Sequence, residues 1–222
     1  MDKIKIAVLL QNEYMNTQNE PSILSNISSV FGDNECERLK AIGNKKARAA
    51  SLGGLAALLK LVGKGGGVIC RDVNGKPYFA DASLGCFNIS HSGMVSVAAY
   101  GEYKLGVDVE RIDRERDTAR IVGRFFTEKE QQRFYKSGAD AERFFEIWTE
   151  KESYVKCLGG TFTSLCSVDP IGVVFSRCYL TSDDGDYIVT VCSDSEFELE
   201  IEALSDGIII KDNKGERNVS NI

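Results

Sequence analysis

Asp108 and Glu110 stand two apart in Gly106-Val107-Asp108-Val109-Glu110. The alternation is that of a β-strand, on which side chains two apart share a face. Both acids therefore project together, with Val107 and Val109 on the opposite side. A solvent-facing acidic strand would read the same way, and the pentapeptide alone does not choose. A third acid, Glu152, lies in Trp148-Thr149-Glu150-Lys151-Glu152-Ser153-Tyr154-Val155-Lys156. At helical spacing Phe144, Phe145, Trp148, Glu152 and Val155 fall on one face. A carboxylate in an apolar stripe must pair, bind a cation or reach water, because burying an isolated charge is costly. Lys156 follows one turn later. The plain alternative is a surface Glu–Lys pair spaced i, i+4, worth about 0.2–0.5 kcal/mol, but the apolar neighbours of Glu152 count against it. Glu150 and Lys151 read as solvated.

If Glu152 joins Asp108 and Glu110, three carboxylates share one site. Two like charges about 4 Å apart repel by about 4 kcal/mol at an effective dielectric near 20, and a divalent cation removes that repulsion. Oxygen-only ligands favour magnesium, which completes its shell with water and substrate phosphates. The chemistry implied is metal-assisted phosphoryl transfer.

The single histidine lies in Asn88-Ile89-Ser90-His91-Ser92-Gly93, read as a turn carrying hydroxyls and exposed N–H groups. Those groups suit phosphate oxygens, although a lone histidine is more often structural. No G-x-S-x-G elbow is present, so a serine-hydrolase triad is rejected. Two basic clusters could meet anions: Lys40, Lys45, Lys46 and Arg48, and then Arg111, Arg114, Arg116, Arg120 and Arg124. The second is interleaved with Asp113, Glu115 and Asp117, as on a solvated face.

The elements that must position these groups can be read from periodicity. Residues 2–10 read as a first strand and residues 34–63 as helical, with Gly53-Gly54 marking a close approach. Asn74-Gly75 makes a hairpin between 68–70 and 77–79. Strands are expected at 87–90, 95–100 and 105–110. Residues 114–135 and 140–158 are helical in pattern, with Thr127 and Glu130 as a capping box. Strands follow near 173–175, 187–191, 197–201 and 208–210, and residues 212–222 read as a frayed polar tail. Segregated helices and short antiparallel strands predict an α+β fold.

With 43% hydrophobic and 27% charged residues, the 222-residue chain is not a disordered polyelectrolyte, and its formal charge of −6 argues against nucleic acid or an anionic membrane as partner. No apolar run approaches the roughly 20 residues of a membrane span. The start does not read as a signal peptide. The seven cysteines, Cys36, Cys70, Cys86, Cys157, Cys166, Cys178 and Cys192, are odd in number and lack C-x-x-C spacing. They read as reduced thiols of a cytoplasmic protein.

Taken in order, Gly75-Lys76-Pro77-Tyr78, Phe87 to Ser92, Gly106 to Glu110, Phe125-Phe126-Thr127-x-x-Glu130 and Trp148-x-x-Lys151-Glu152-x-x-x-Lys156 resemble the 4′-phosphopantetheinyl transferase superfamily. The length resembles its surfactin-synthetase-activating (Sfp-type) branch. The resemblance implies two pseudo-symmetric α/β lobes, residues 1–104 and 105–222, each a small antiparallel sheet packed with a long helix. It implies transfer of the phosphopantetheine arm of coenzyme A to a serine of an apo acyl or peptidyl carrier protein, with release of adenosine 3′,5′-bisphosphate. Asp108, Glu110 and Glu152 then hold magnesium, with manganese as the alternative. Glu152 is also the base, and Lys156 steadies the leaving phosphate. Ser90 and His91 match a phosphate-binding turn and Lys76 a coenzyme-contacting lysine. Arg48, with Lys45 or Lys46, matches the group near the 3′-phosphate. Phe125 and Phe126 fall where the family meets its carrier. A monomer is expected. A non-catalytic carrier- or coenzyme-binding module and another magnesium-dependent phosphate enzyme are the rivals.

Overall fold

A computed structural model describes residues 2–15, 20–161, 163 and 169–212. Strand β1 (Asp2–Leu10) leads to α1 (Asn12–Met15), α2 (Glu20–Phe31), α3 (Asp33–Ala41) and α4 (Lys45–Val62). The hairpin β2 (Ile69–Arg71) and β3 (Pro77–Phe79) precedes β4 (Cys86–Ser92), β5 (Val95–Gly101) and β6 (Leu105–Arg111). Then come α5 (Ala119–Phe125), α6 (Glu128–Lys136), α7 (Ala141–Leu158), β7 (Val174–Ser182), β8 (Gly185–Ser193), β9 (Phe197–Ala203) and β10 (Ile209–Asp212). The α+β expectation holds.

The strands form two four-stranded sheets, ordered β4-β5-β1-β9 and β10-β7-β8-β6, beside the small β2-β3 hairpin. One 18-residue helix lies on each: α4 on the first and α7 on the second. The alternation of β1 sorts its side chains. Ile4, Ile6 and Val8 enter a core shared with Val107 and Val109 of β6 and Val189 and Val191 of β8. Ala7 and Leu9 face the helices α2, α3 and α4. Strand β9 returns to the first sheet and pairs with β1 in parallel, Ile4 opposite Leu199. The boundary expected at 104/105 is thus crossed by residues 197–203.

The helical region expected at 34–63 is two helices. Ile42-Gly43-Asn44 breaks it, and the Asn44 side chain caps α4 by accepting from the Ala47 N–H at 3.1 Å. Gly53 and Gly54 stay helical, and their close approach is real: a Cβ on Gly54 would collide with Ile89 Cγ2. The region expected at 114–135 is also two helices, α5 and α6. The expected capping box is present: Thr127 N donates to Glu130 Oε2 at 2.7 Å and Glu130 N to Thr127 Oγ1 at 3.4 Å. Helix α2 carries little helical signal in the sequence, because serines and β-branched residues are weak helix formers. Its Leu24, Ile27 and Phe31 nevertheless follow a helical spacing and are buried. Cys166 and residues 213–222 lie outside the described residues. Among the described residues no helix is long and apolar enough to cross a membrane.

Candidate active site between β4, β6 and α7

Strand β6 sets the first half of the site. Val107 and Val109 are buried in the shared core, so Gly106, Asp108 and Glu110 face the other way, toward α7. Gly106 is what lets the helix come close. A Cβ there would strike the Ser153 carbonyl oxygen and the Cys157 N–H nitrogen. The absent side chain lays the backbone of α7 on β6 and brings Glu152 and Lys156 over Asp108 and Glu110.

Asp108 is 3% exposed. Its Oδ1 accepts from the Ser90 hydroxyl at 2.9 Å and from Lys156 Nζ at 2.5 Å. Its Oδ2 is buried without a hydrogen-bond partner, which is costly for a carboxylate oxygen. Glu110 accepts from the Ser92 hydroxyl at 2.7 Å. Burial and the charge of Asp108 push its pKa up. Glu152 is half-buried, and its pKa is raised to about 7 by burial first, then by Asp108 and Glu110, against the opposing pull of Lys156. In the protein on its own, desolvation and two carboxylates outweigh one ammonium.

Lys156 Nζ also donates to Ser90 Oγ at 2.9 Å. His91 is exposed, at the end of β4 rather than in a turn, since the chain reverses at Gly93-Met94. Partial loss of water around the ring and the Lys156 charge lower its pKa. Ser90, His91, Asp108, Glu110, Glu152 and Lys156 thus form one constellation. Lys76 stands beside it: its Nζ donates to the Cys157 carbonyl at 3.0 Å, at the C-terminal end of α7, and burial lowers its pKa. Lys45 and Lys46 are exposed. Arg48 pairs with Glu20 and lines a separate cleft of about 690 Å³.

Glu150 and Lys151 are not solvated. Glu150 is 5% and Lys151 0% exposed. Lys151 Nζ donates to both oxygens of Glu130, at 3.0 and 2.8 Å. Glu150 accepts from Arg133 at 2.9 Å and pairs with Arg177 of β7. The sequence reading had no tertiary partner to assign them. These pairs lock α7 to α6 and β7, so the helix that carries Glu152 is fixed on both sides. Phe126 is also buried, its ring stacked on Phe144 at 5.5 Å, which leaves Phe125 as the more exposed of that pair. Ser92 is a partner of Glu110 that the motifs do not single out. Its spacing two residues beyond Ser90, on an alternating strand, was the available signal.

The family model described as the 4′-phosphopantetheinyl transferase superfamily matches residues 104–206, which hold Asp108, Glu110, Glu152 and Lys156. Over these residues, just under half of its length, the chain is similar to this superfamily. Among curated superfamily members, the 4′-phosphopantetheinyl transferase gsp of Aneurinibacillus migulanus is 41% identical over 87 residues, 38% of this chain and 35% of the relative. The 4′-phosphopantetheinyl transferase AcpT of Salmonella typhi is 32% identical over 132 residues, 56% of this chain and 66% of the relative. The 4′-phosphopantetheinyl transferase Sfp of Bacillus subtilis (strain 168) is 32% identical over 84 residues, 37% of each. The chain thus spans from about a third to about two thirds of the length of these superfamily relatives.

The donor set fits a hard divalent cation. A buried carboxylate oxygen is without a partner, and two neighbouring acids are held toward their protonated forms by burial first and then by the charge of Asp108. Among the described residues no three His, Cys, Asp or Glu side chains are drawn together into a finished ligand cluster. Here the Lys156 ammonium supplies the counter-charge against Asp108.

Proposed function

We propose that this protein transfers the 4′-phosphopantetheine arm of coenzyme A to a serine of an apo acyl or peptidyl carrier protein. The observation that carries this reading is the meeting of Glu152 and Lys156 with the β6 acids around the unpartnered Asp108 Oδ2, within the residues that match this superfamily. Asp108, Glu110 and Glu152 would hold magnesium, or manganese in its place. The cation, when bound, supplies positive charge to the pyrophosphate oxygens.

The chain's own residues do the rest. The carrier serine Oγ attacks the phosphorus that bears the pantetheine. The new O–P bond forms as the bond to the bridging oxygen breaks, and adenosine 3′,5′-bisphosphate leaves. Glu152 takes the serine proton, directly or through water. Lys156, on the same helix face, stabilises the leaving phosphate. Lys76 and His91 flank the coenzyme, and Lys45, Lys46 and Arg48 at the start of α4 serve its 3′-phosphate. No covalent enzyme intermediate is needed. The protein acts as a cytoplasmic monomer, with neither nucleic acid nor membrane as partner.

The test is a mass measurement. Carrier proteins of fatty-acid, polyketide and nonribosomal-peptide type are incubated with the protein, coenzyme A and magnesium, and weighed. A gain equal to the phosphopantetheine arm on at least one carrier is expected. No gain on any of them would discard the reading, and release of phosphate without an acceptor would replace it with a hydrolase.

A further inference from the structure

Strands β4 and β6 are edges of different sheets, each paired with another strand, β4 with β5 and β6 with β8. The seam between them is bridged by side chains of β4 that take the place of backbone carbonyls. Asn88 Oδ1 accepts from Val107 N at 3.0 Å, Ser90 Oγ from Val109 N at 3.4 Å and Ser92 Oγ from Arg111 N at 3.1 Å. The period of two on both strands keeps these bonds in step.

The two serines do more than bridge. A hydroxyl has one proton and two lone pairs. Ser90 gives its proton to Asp108 Oδ1 and accepts from Val109 N and Lys156 Nζ, so its capacity is spent. Ser92 gives its proton to Glu110 Oε2 while accepting from Arg111 N. Neither serine can donate to a phosphate oxygen without releasing its carboxylate.

We propose that Ser90 and Ser92 are positioning residues, which orient Asp108 and Glu110 toward the cation rather than binding phosphate themselves. The inference deepens the function proposed above and rests on its metal site. Each serine takes one oxygen of its acid, and Asp108 Oδ2 is left buried without a hydrogen-bond partner. Asn88 is a built-in control, because it holds the same seam through Val107 N without touching either acid.

Binding of Mn²⁺ is followed by electron paramagnetic resonance, without coenzyme or carrier, in the wild type, Asn88→Ala, Ser90→Ala, Ser92→Ala and Ser92→Thr. Melting temperatures are recorded alongside. The alanine variants at 90 and 92 are expected to bind Mn²⁺ at least about tenfold more weakly, the usual loss when a partner of a metal ligand is removed. Ser92→Thr, which keeps the hydroxyl, restores binding, and Asn88→Ala melts lower yet binds as the wild type does. If Ser90→Ala does not fold, the half-buried Ser92 decides alone. Serine variants that bind as tightly as the wild type, or an Asn88→Ala variant weakened as much as they are, overturn the positioning role. A wild type that binds no Mn²⁺ overturns the metal site itself.

Discussion

In the proposed reaction Glu152 is the base, and its raised pKa gives it a thermodynamic signature. The unfolded chain releases this proton near the ordinary 4.5, whereas the folded chain holds it to about 7. Between those values the folded state binds more protons, so stability falls as pH rises through the window, and above it the whole penalty is present. Burial and Asp108 raise Glu110 as well, which adds in the same direction. With a chelator present, Glu152→Gln should therefore melt above the wild type at pH 7.5 and level with it at pH 4.5. A melting-temperature difference independent of pH would refute this. Adding magnesium at pH 7.5 should raise the wild type more than the variant. In the transfer assay the same substitution should lower kcat by on the order of a hundred- to ten-thousandfold, the usual weight of a general base. Calorimetric coenzyme A binding should be retained.

At the scale of elements, the placement of α7 on β6 depends on Gly106 and on ion pairs that the sequence reading assigned to solvent. Gly106→Ala inserts a methyl group against the backbone of Ser153 and Cys157. Backbone cannot rotate aside as a side chain can, so a loss of about 1–3 kcal/mol or more is expected in urea unfolding. Transfer should fall too, since Glu152 and Lys156 ride on the displaced helix. Lys151→Ala should be more damaging, at about 3–5 kcal/mol, because it strands the buried Glu130 without its partner. A loss under about 1 kcal/mol would show that the pair is not the lock between α6 and α7. The capping box around Glu130 was legible because its partners are local. Lys151 lies 21 residues from Glu130, and no local pattern announces such a pair.

The whole molecule is built on a core that both halves of the chain share. Ile6 and Val8 of β1, Val97 of β5, Val109 of β6 and Val189 of β8 belong to one apolar cluster, and β9 closes the first sheet from the far end of the chain. A fragment of residues 1–104 would therefore expose one face of its sheet and leave β1 without its parallel partner. We expect such a fragment not to fold alone. Far-UV circular dichroism of the isolated fragment checks this, and a native-like spectrum with a cooperative melt would count against it. The two 18-residue helices on two four-stranded sheets repeat an architecture, yet the repeat units are interlocked.

The sequence by itself determined what local physics can encode. Alternation marked β1, β6 and β8, the Thr127–Glu130 spacing marked the start of α6, and the ordered motifs marked the acids and the lysine of the site. The apolar neighbours of Glu152 also counted against its being an ordinary surface acid. Tertiary structure decided the rest, because those features depend on residues distant in sequence. It broke the helical regions at 42–44 and 126–127, buried Glu150 and Lys151 against partners on other elements, carried β9 back to β1 and raised the pKa of Glu152. It also turned Ser90 and Ser92 toward Asp108 and Glu110. A carboxylate's type is written in the chain, but its charge state and orientation follow from burial and from neighbours that only folding assembles.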